Sequence, residues 1–203
     1  MFKLTHKLPR KYWVAVSGGI DSMSVLHWLR KPSRNGLLGV VHIDHHTRHA
    51  EDARKFVEDF CREERIECLT FEIEGIPPPG ESKELYWREQ RYHIFKNVLA
   101  GDDPVILAHN FDDCLEEYLM NVMVRGFMDT IPYSHARCVR PFRLWKKRDI
   151  AEYAFKNNVP FIVDPSNSDT RYKRNFIRKY IVPRALTLNP GIYNIVQKLI
   201  ERQ

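Results

Sequence analysis

The sequence has few cysteines and no long apolar run, and both absences narrow the kinds of protein it can encode. Only four cysteines occur among its 203 residues, and no two of them form a Cys-x-x-Cys pair, so the spacing typical of a zinc knuckle or an iron–sulfur cluster is missing. No apolar stretch is long enough to span a bilayer. The basic N-terminus runs directly into a strand-like segment rather than into the apolar core of a signal peptide. The sequence therefore predicts a cytoplasmic protein without membrane contact, whose thiols are reduced and structural.

Positive charge is concentrated towards the C-terminal end of the chain. Residues 137–184 carry thirteen Lys and Arg side chains against four Asp and Glu, a net charge of +9 in a chain whose total is +6. A basic surface of this kind suits a polyanion such as a nucleic acid, although a solvated helix face can have the same composition. The sequence predicts a division into a core, residues 1–136, and a basic part with a helical tail, residues 137–203.

Strand and helix signals alternate along the chain. Strands separated by helices pair in parallel and are covered on both faces, so we predict an α/β fold with a doubly wound parallel sheet and a short helical C-terminal extension. In such sheets ligands bind at the carboxyl ends of the strands. The β-type runs are 14–16, 40–43, 68–73 and 105–108, with helical spacing at 53–61 and 115–123. The polar segments expected at the strand ends are 17–22, 44–48 and 109–113.

The most informative of these segments is Ser-Gly-Gly-Ile-Asp-Ser at residues 17–22, between an apolar strand and an apparent helix. Its two glycines let the backbone approach an anion, and the first N–H groups of the helix have no internal partner. The two serines add hydroxyl donors, and Asp21 is suited to hold a phosphate-bound cation such as Mg2+. The segment is neither a Walker A loop nor a Gly-x-Gly-x-x-Gly sequence. An ordinary strand–turn–helix is the plainer alternative, but the hexapeptide favours a phosphate site.

Four further clusters of polar residues carry possible chemistry. Residues 42–48, His-Ile-Asp-His-His-Thr-Arg, follow a strand and favour nucleotide contacts over a metal site, which would need more ligands. On the helix that follows residue 110, Asp113 and Glu116 share a face and could order magnesium or receive an amino group, or simply complement the helix dipole. Residues 87–92 are typical of an exposed, ion-paired helix. Residues 164–178 join a polar loop to a basic helix with aromatics, which suits phosphate clamping and base stacking.

In order and spacing, these motifs resemble the tRNA(Ile)-lysidine synthetases, a family of PP-loop, or N-type, ATP pyrophosphatases. The resemblance extends from Val14 to about Arg178, and its most particular part is Asp-Pro-Ser-Asn from residue 164. It implies a fold like that of the adenine nucleotide α-hydrolases. It also implies a ligase that adenylates the C2 oxygen of the wobble cytidine in a CAU-anticodon tRNA(Ile), releasing pyrophosphate, before the amine of free L-lysine displaces AMP. The implied cofactors are ATP and Mg2+, and the implied partners are the tRNA anticodon loop and lysine.

The resemblance also implies roles for individual residues. The implied catalytic residues are Asp21, Asp44, Arg88, His109, Asp113 and Glu116, with Asp21 and Asp113 as ligands of Mg2+. The implied nucleotide-binding residues are Ser17, Gly18, Gly19, Ile20, Asp21, Ser22, His42, Asp44, Arg48, Arg88 and His109. Glu116 and Glu117 are the candidates for the lysine ammonium. The other implied substrate or tRNA contacts are Arg140, Asp164, Asn167, Arg171, Tyr172, Arg174, Asn175 and Arg178.

The sequence departs from the family pattern in several places. Asn110 replaces a second His, Cys114 and Glu117 replace Gln and Thr, and the glycine-rich loop after Gly126 is shortened. The C-terminal domains with which many relatives hold tRNA are expected to be absent, so we expect a homo-oligomer or an accessory tRNA-binding partner. Two other functions stay open. One is a different tRNA-modifying pyrophosphatase, such as a 2-thiolating enzyme, which the lack of Cys-x-x-Cys disfavours; the other is a non-catalytic, nucleotide-responsive RNA-binding module.

Overall fold

One mostly parallel sheet organises the molecule. The structure, a computed structural model, describes residues 3–44 and 50–203. Within these residues six strands pair in the order β3-β2-β1-β4-β6-β5, and neighbours run parallel except β5, which is antiparallel to β6. The predicted parallel sheet is confirmed, with an added antiparallel edge strand. The strands are β1 (Tyr12–Ala15), β2 (Leu37–Asp44), β3 (Cys68–Glu72), β4 (Val105–Ile106), β5 (Ser134–His135) and β6 (Cys138–Val139).

Local signals set where the helices begin and end. Ser82 caps α3, its hydroxyl accepting a hydrogen bond from Leu85 N at 3.2 Å. Asn110 caps α4 in a reciprocal capping box with Asp113, and a π-helical extension of α4 ends at Gly126, whose φ of +77° is one that glycine adopts without strain. No helix in the described ranges has the length and apolarity to cross a membrane. The helices are α1 (Ile20–Leu29), α2 (Ala50–Glu63), α3 (Lys83–His93, extended by Ile94–Val98), α4 (Phe111–Met120, extended by Asn121–Arg125), α5 (Lys147–Lys156), α6 (Lys173–Phe176, extended by Ile177–Ile181), α7 (Val182–Leu188) and α8 (Ile192–Glu201).

Apolar side chains pack against both faces of the sheet. On one face α1, α2 and α5 supply the main core, where Trp28, Phe142 and Trp145 meet edge-to-face with ring centroids 4.5 to 5.7 Å apart. On the other face Trp13 packs with Phe95 from the extension of α3. The main core takes residues from both sides of the predicted boundary at residue 136, and the division there stays a prediction.

The strand order reverses beside β1, which pairs with β2 on one side and β4 on the other. In open α/β sheets such a reversal leaves a crevice at the carboxyl ends of the strands. Residues 17–22 follow β1, Asp44 ends β2, and His109 follows β4. The topology therefore brings the predicted polar segments to the same edge of the sheet.

Candidate active site

A cleft of about 420 Å³ lies at the carboxyl ends of β1 and β4. Its walls come from the loop after β1, from α3, from the start of α4 and from α6 with its extension. Segments that are far apart in the sequence thus meet in one cavity, as the sheet topology predicts. The predicted residues that line it are Ser17, Asp21, Ser22, Arg88, His109, Asp113, Arg174 and Arg178, and Arg91, Tyr92 and Phe95 join them.

The loop after β1 is shaped by its backbone and by one long-range contact. Gly18 has a φ of +83°, and its carbonyl accepts a hydrogen bond from Ile162 N at 3.0 Å. Ser22 Oγ donates to Gly19 O at 3.0 Å and accepts from Ser17 N at 3.2 Å. No side chain caps the start of α1. The loop therefore leaves the first N–H groups of this helix available to an anion.

Asp21 connects this loop to the starts of α4 and α5. Its Oδ1 accepts a hydrogen bond from Asn110 Nδ2 at 3.3 Å, and its Oδ2 lies 3.4 Å from Lys147 Nζ. Burial raises the pKa of Asp21, and the charge of Lys147 opposes that shift. Lys147 is a site residue that the sequence does not reveal, because it lies 126 positions from the carboxylate it faces.

Asp21 and Asp113 present two carboxylates that could hold a divalent cation. Asn110 orients both, since its backbone N–H also donates to Asp113 Oδ2 at 3.0 Å. Mg2+ is usually held by one or two carboxylates together with phosphate oxygens and water, and two carboxylates beside an anion-binding loop fit that pattern. Within residues 3–44 and 50–203, no cluster of three or more His, Cys, Asp or Glu side chains could hold a metal ion. A cation here would therefore also depend on oxygens of a bound phosphate.

Arginines of α6 and its extension meet the two glutamates of α4. Arg178 forms a bidentate pair with Glu116, with Nε to Oε1 at 2.6 Å and Nη2 to Oε2 at 2.9 Å. Arg174 Nη2 donates to Glu117 Oε2 at 2.8 Å, and Arg125 Nη1 donates to Glu117 Oε1 at 2.6 Å. The oxygens that the sequence predicts for a lysine ammonium are thus occupied by guanidinium groups.

The protonation equilibria of the two glutamates shift in opposite directions. Burial raises the pKa of Glu116, and the hydrogen bonds from Arg178 only partly oppose it. Burial acts in the same direction on Glu117, but Arg174 and Arg125 outweigh it and lower the pKa. The hydrogen bond to Glu116 raises the pKa of Arg178. The arginines are therefore held as cations at fixed positions on the wall of the cleft.

His109 lies in the cleft among arginines. Its Nδ1 is buried and has no hydrogen-bond partner among the described residues. Burial brings the pKa of His109 well below its usual value, so the ring is neutral at pH 7. A neutral imidazole with a free nitrogen can make one hydrogen bond to a ligand. The charges that reinforce the shift belong to Arg140, Arg174, Arg91 and Arg88.

Comparison with known proteins decides the family, because the model of the PP-loop domain matches residues 2–185. The chain belongs to the PP-loop domain family. The predicted resemblance is confirmed by relatives named tRNA(Ile)-lysidine synthase, from Thermotoga maritima (38% identical over 200 residues) and Bacillus subtilis (30% over 203 residues). These alignments cover 92% and 93% of this chain but 48% and 43% of the relatives. The chain therefore spans about half the length of the curated relatives it matches.

A solved structure shares the fold of this PP-loop protein. The U34-tRNA thiolase NcsA from Methanococcus maripaludis, determined with its [4Fe-4S] cluster, has a TM-score of 0.75 at 16% identity and covers 97% of this chain and 73% of its own. At this identity the likeness shows the fold alone. It agrees with the predicted α/β architecture and does not favour the alternative of a thiolating enzyme.

Five predicted nucleotide contacts of the PP-loop protein do not line the cleft: the loop residues Gly18, Gly19 and Ile20, and the strand residues His42 and Asp44. His42 is 2% exposed, and its Nδ1–H donates to Val16 O at 2.8 Å. Burial lowers the pKa of His42, so the ring is neutral and ties β2 to the residue before the loop. Asp44 is also buried, at the end of β2. The predicted contact Arg48 lies outside the described residues.

The departures from the family pattern have structural roles in this PP-loop domain. Asn110 is fully buried, caps α4 and reaches Asp21. Cys114 is buried too, and burial raises the pKa of its thiol to about 12, so it is an inert core residue. Glu117 joins the arginine contacts described above. Each of these three residues therefore has a structural role at its position in this chain.

The prediction that Arg140 contacts RNA needs correction. Its side chain is 1% exposed, and its guanidinium donates to Pro132 O at 3.1 Å and to the hydroxyl of Tyr92 at 2.7 Å. A guanidinium buried in this way is out of reach of an RNA phosphate. Arg140 instead holds the segment before β5 against α3.

The other predicted RNA contacts differ in exposure. Asn175 Nδ2 donates to Asp169 O at 2.9 Å and so helps to shape the loop before α6. Arg171 is exposed and pairs with Asp169 at 2.7 Å. Tyr172, at the N-terminal cap of α6, is half-buried. Asp164 is exposed, and Asn167 lies in the 3-10 turn Pro165–Ser168.

Proposed function

We propose that this PP-loop protein converts the wobble cytidine of a CAU-anticodon tRNA(Ile) to lysidine, using ATP, Mg2+ and free L-lysine. The observation that carries the proposal is the cleft: the loop after β1, Asp113 at the start of α4 and the arginines of α6 and its extension line one cavity. The choice of acceptor rests on the relatives, which are named tRNA(Ile)-lysidine synthase.

In the first step the C2 oxygen of cytidine attacks the α-phosphorus of ATP, and the bond from that phosphorus to the pyrophosphate oxygen breaks. The backbone N–H groups of Gly19, Ile20 and the next residues would bind the departing pyrophosphate, with the hydroxyls of Ser17 and Ser22. Gly18 keeps the turn open. These donors stabilise charge that develops on the leaving group, which is where electrostatic catalysis has its largest effect.

Asp21 and Asp113 would hold Mg2+, because both carboxylates border the loop and are oriented by Asn110. When bound, the ion would supply positive charge to the leaving pyrophosphate. Lys147 lies 3.4 Å from Asp21 and compensates the charge of this carboxylate in the free protein.

In the second step the lysine amine attacks C2, the bond from C2 to the adenylate oxygen breaks, AMP leaves and the amine gives up a proton to solvent. Arg88 and neutral His109 would contact the adenylate phosphate, with Arg48 as the third predicted contact. Glu116 and Glu117 act through the arginines they hold. They position Arg178 and Arg174 rather than contacting substrate directly.

The basic part of the chain would bind the anticodon loop. Arg171 and Lys173 are exposed on either side of Tyr172, whose ring offers a stacking surface for a base. A second copy of this chain in a homo-oligomer, or an accessory protein, would supply further contacts to the tRNA. Action in the cytoplasm belongs to the same proposal.

The test follows pyrophosphate release from ATP and Mg2+, with and without lysine and a CAU-anticodon tRNA, and seeks lysine on the RNA by mass spectrometry. We expect RNA-dependent release and a lysine adduct. Asp113→Ala should abolish release while RNA binding remains, and Asp102→Ala, at an exposed acid outside the cleft, should change neither. Release without an adduct would indicate another acceptor or nucleophile, and RNA binding without release would support a binding module.

A further inference from the structure

Two of the four cysteines meet where α2 turns back into the edge strand β3. Cys61 lies near the end of α2, and Cys68 is the first residue of β3. The chain reverses between them: Arg65 has a φ of +55°, and Ile66 N donates to Cys61 O at 2.8 Å. The reversal brings the two side chains together, and the Cys61 thiol donates a hydrogen bond to the sulfur of Cys68. Two sulfur atoms in such contact need only a small approach to form a covalent bond.

The two thiols differ in exposure and in acidity. Cys61 is fully buried, whereas Cys68 is half-buried at the edge of the sheet. Their hydrogen bond lowers the pKa of Cys68 against the effect of burial, and it raises the pKa of Cys61 together with burial. The thiolate is the reactive form of cysteine. Cys68 is therefore the thiol that a small oxidant meets first, with Cys61 directly behind it.

The remaining cysteines provide an internal comparison. Cys114 and Cys138 are both 0% exposed. Burial raises the pKa of Cys114 to about 12 and that of Cys138 to about 11. Both thiols are thus protonated at pH 7 and shielded from solvent, which makes a structural cysteine inert. Reactivity in this chain should be confined to the junction of α2 and β3.

We propose that Cys68 and Cys61 form a redox-active pair, in which a hydroperoxide oxidises Cys68 and Cys61 then closes a disulfide between β3 and α2. In the first step the Cys68 thiolate attacks a peroxide oxygen, the O–O bond breaks, and a sulfenic acid and hydroxide form. In the second step the Cys61 sulfur attacks the sulfenic sulfur, the S–O bond breaks, and the hydroxyl group leaves as water. Two thiols are oxidised, and one hydrogen peroxide is reduced to two waters.

This arrangement is the one that redox-sensing cysteines have: an accessible, acidic thiol next to a second thiol that resolves it. In a reducing compartment such a disulfide is transient. The cross-link would join α2 to the edge strand and close the short loop between residues 61 and 68, which restricts the unfolded chain. The inference concerns a different part of the sheet from the cleft and does not depend on the reaction proposed there.

The test maps the thiols of the full chain after treatment with hydrogen peroxide at pH 7. Free thiols are blocked with N-ethylmaleimide, and the protein is digested with trypsin without reductant. Trypsin cleaves after Arg62 and Arg65, so the two cysteines fall in separate peptides, residues 56–62 and 66–83. We expect these peptides to be joined, two hydrogens lighter than their sum, and to separate on addition of dithiothreitol.

Variants identify the order of the two steps. In Cys61→Ala the resolving thiol is missing, so dimedone, which traps sulfenic acids, should label Cys68. Cys138→Ala is the matched control, because it removes a cysteine outside the pair, and it should keep the joined peptides. In wild type the oxidised form should have a Tm about 5 °C higher than the reduced form, as closure of a short loop predicts. The oxidised Cys61→Ala protein should show no such rise.

Other results would overturn the inference. Oxidation of Cys68 to the sulfinic acid without joined peptides would show that Cys61 does not resolve it. A disulfide that includes Cys114 or Cys138, or four thiols that all stay reduced until the protein unfolds, would exclude a reactive pair at this junction. A lower Tm of the oxidised form would show that the cross-link does not fit the native fold.

Discussion

The two walls of the cleft are built in opposite ways. The loop wall, residues 17–22, is shaped by glycine, by backbone hydrogen bonds and by a helix start without a cap. The arginine wall, formed by α4 and α6, has glutamates and arginines that are paired with one another. An open wall can bind a ligand directly. A paired wall keeps its charges in fixed places, so its acids act mainly by positioning the arginines.

The difference also bears on stability. Breaking a buried ion pair by removing one partner leaves an uncompensated charge, which is strongly destabilising. Changes in an open loop affect few contacts within the protein. Mutations on the arginine wall should therefore reduce folding stability first, and mutations on the loop wall should reduce ligand binding first.

The largest expected effect is that of Glu116→Gln. Glu116 is 4% exposed and Arg178 33% exposed, so we expect a loss of about 2–3 kcal/mol in the free energy of unfolding, less than for a fully buried pair. Urea unfolding measures it, and Glu63→Gln, at an exposed acid of α2, should change it by less than about 0.5 kcal/mol. Restoring stability with Glu116→Gln/Arg178→Met would confirm that the unpaired arginine causes the loss. Equal stability of Glu116→Gln and wild type would show that the pair contributes nothing.

Gly18→Ala, on the loop wall, should reduce folding stability by a smaller amount. The left-handed backbone costs about 1 kcal/mol for a residue with a Cβ, and that Cβ would lie 3.1 Å from Ile162 Cδ1. Gly101→Ala is the matched control, because Gly101 has a φ of +73° but nothing within 4 Å of an added Cβ. Both variants should lose similar backbone stability in thermal unfolding. Only Gly18→Ala should also lose ATP affinity, and equal affinities would separate the loop from nucleotide binding.

Asp21→Asn should increase stability at pH 7, whereas Glu116→Gln and Gly18→Ala reduce it. The pKa of Asp21 is raised in the folded protein, mainly by burial, so the folded state holds this proton more tightly than the unfolded chain, where the pKa is about 3.9. The stabilising contribution of the protonated acid is complete below that value and is lost as pH rises through the folded pKa. Asp21→Asn should therefore raise Tm at pH 7, leave it unchanged at pH 3, and abolish pyrophosphate release. A lower Tm at pH 7 would mean that the contact with Lys147 outweighs the cost of burial.

The sequence predicts the loop wall far better than the arginine wall. The glycines, serines and following helix are neighbours in the chain, so their geometry follows from local conformational preferences. Arg174 and Arg178, in contrast, lie 57 and 62 positions from the glutamates they pair with, and no local pattern indicates this pairing. The same is true of Lys147 beside Asp21. Long-range pairing decides these roles, and it is visible only once the fold is known.

Burial of polar residues is the other feature that the sequence does not settle. In a parallel sheet covered on both faces, consecutive residues of a strand can all be buried, so strand alternation does not distinguish His42 from its apolar neighbours. Arg140 directly follows β6, and in the sequence it belongs to the basic region 137–184 that predicts an RNA-binding surface. Its burial depends on the segment before β5 and on Tyr92 of α3.

The smallest expected effect on stability is that of Arg171→Gln, outside both walls. The Arg171 side chain is 91% exposed and pairs with Asp169, so the unfolding transition should not move. If Arg171 contacts a phosphate of single-stranded RNA, the slope of log K against log salt should fall by about 0.7. Arg62→Gln removes a similarly exposed arginine paired with Asp59 on α2 and should leave that slope unchanged. Equal slopes in wild type and Arg171→Gln would place the RNA-binding surface elsewhere, with the arginines inside the cleft as the next charges to test.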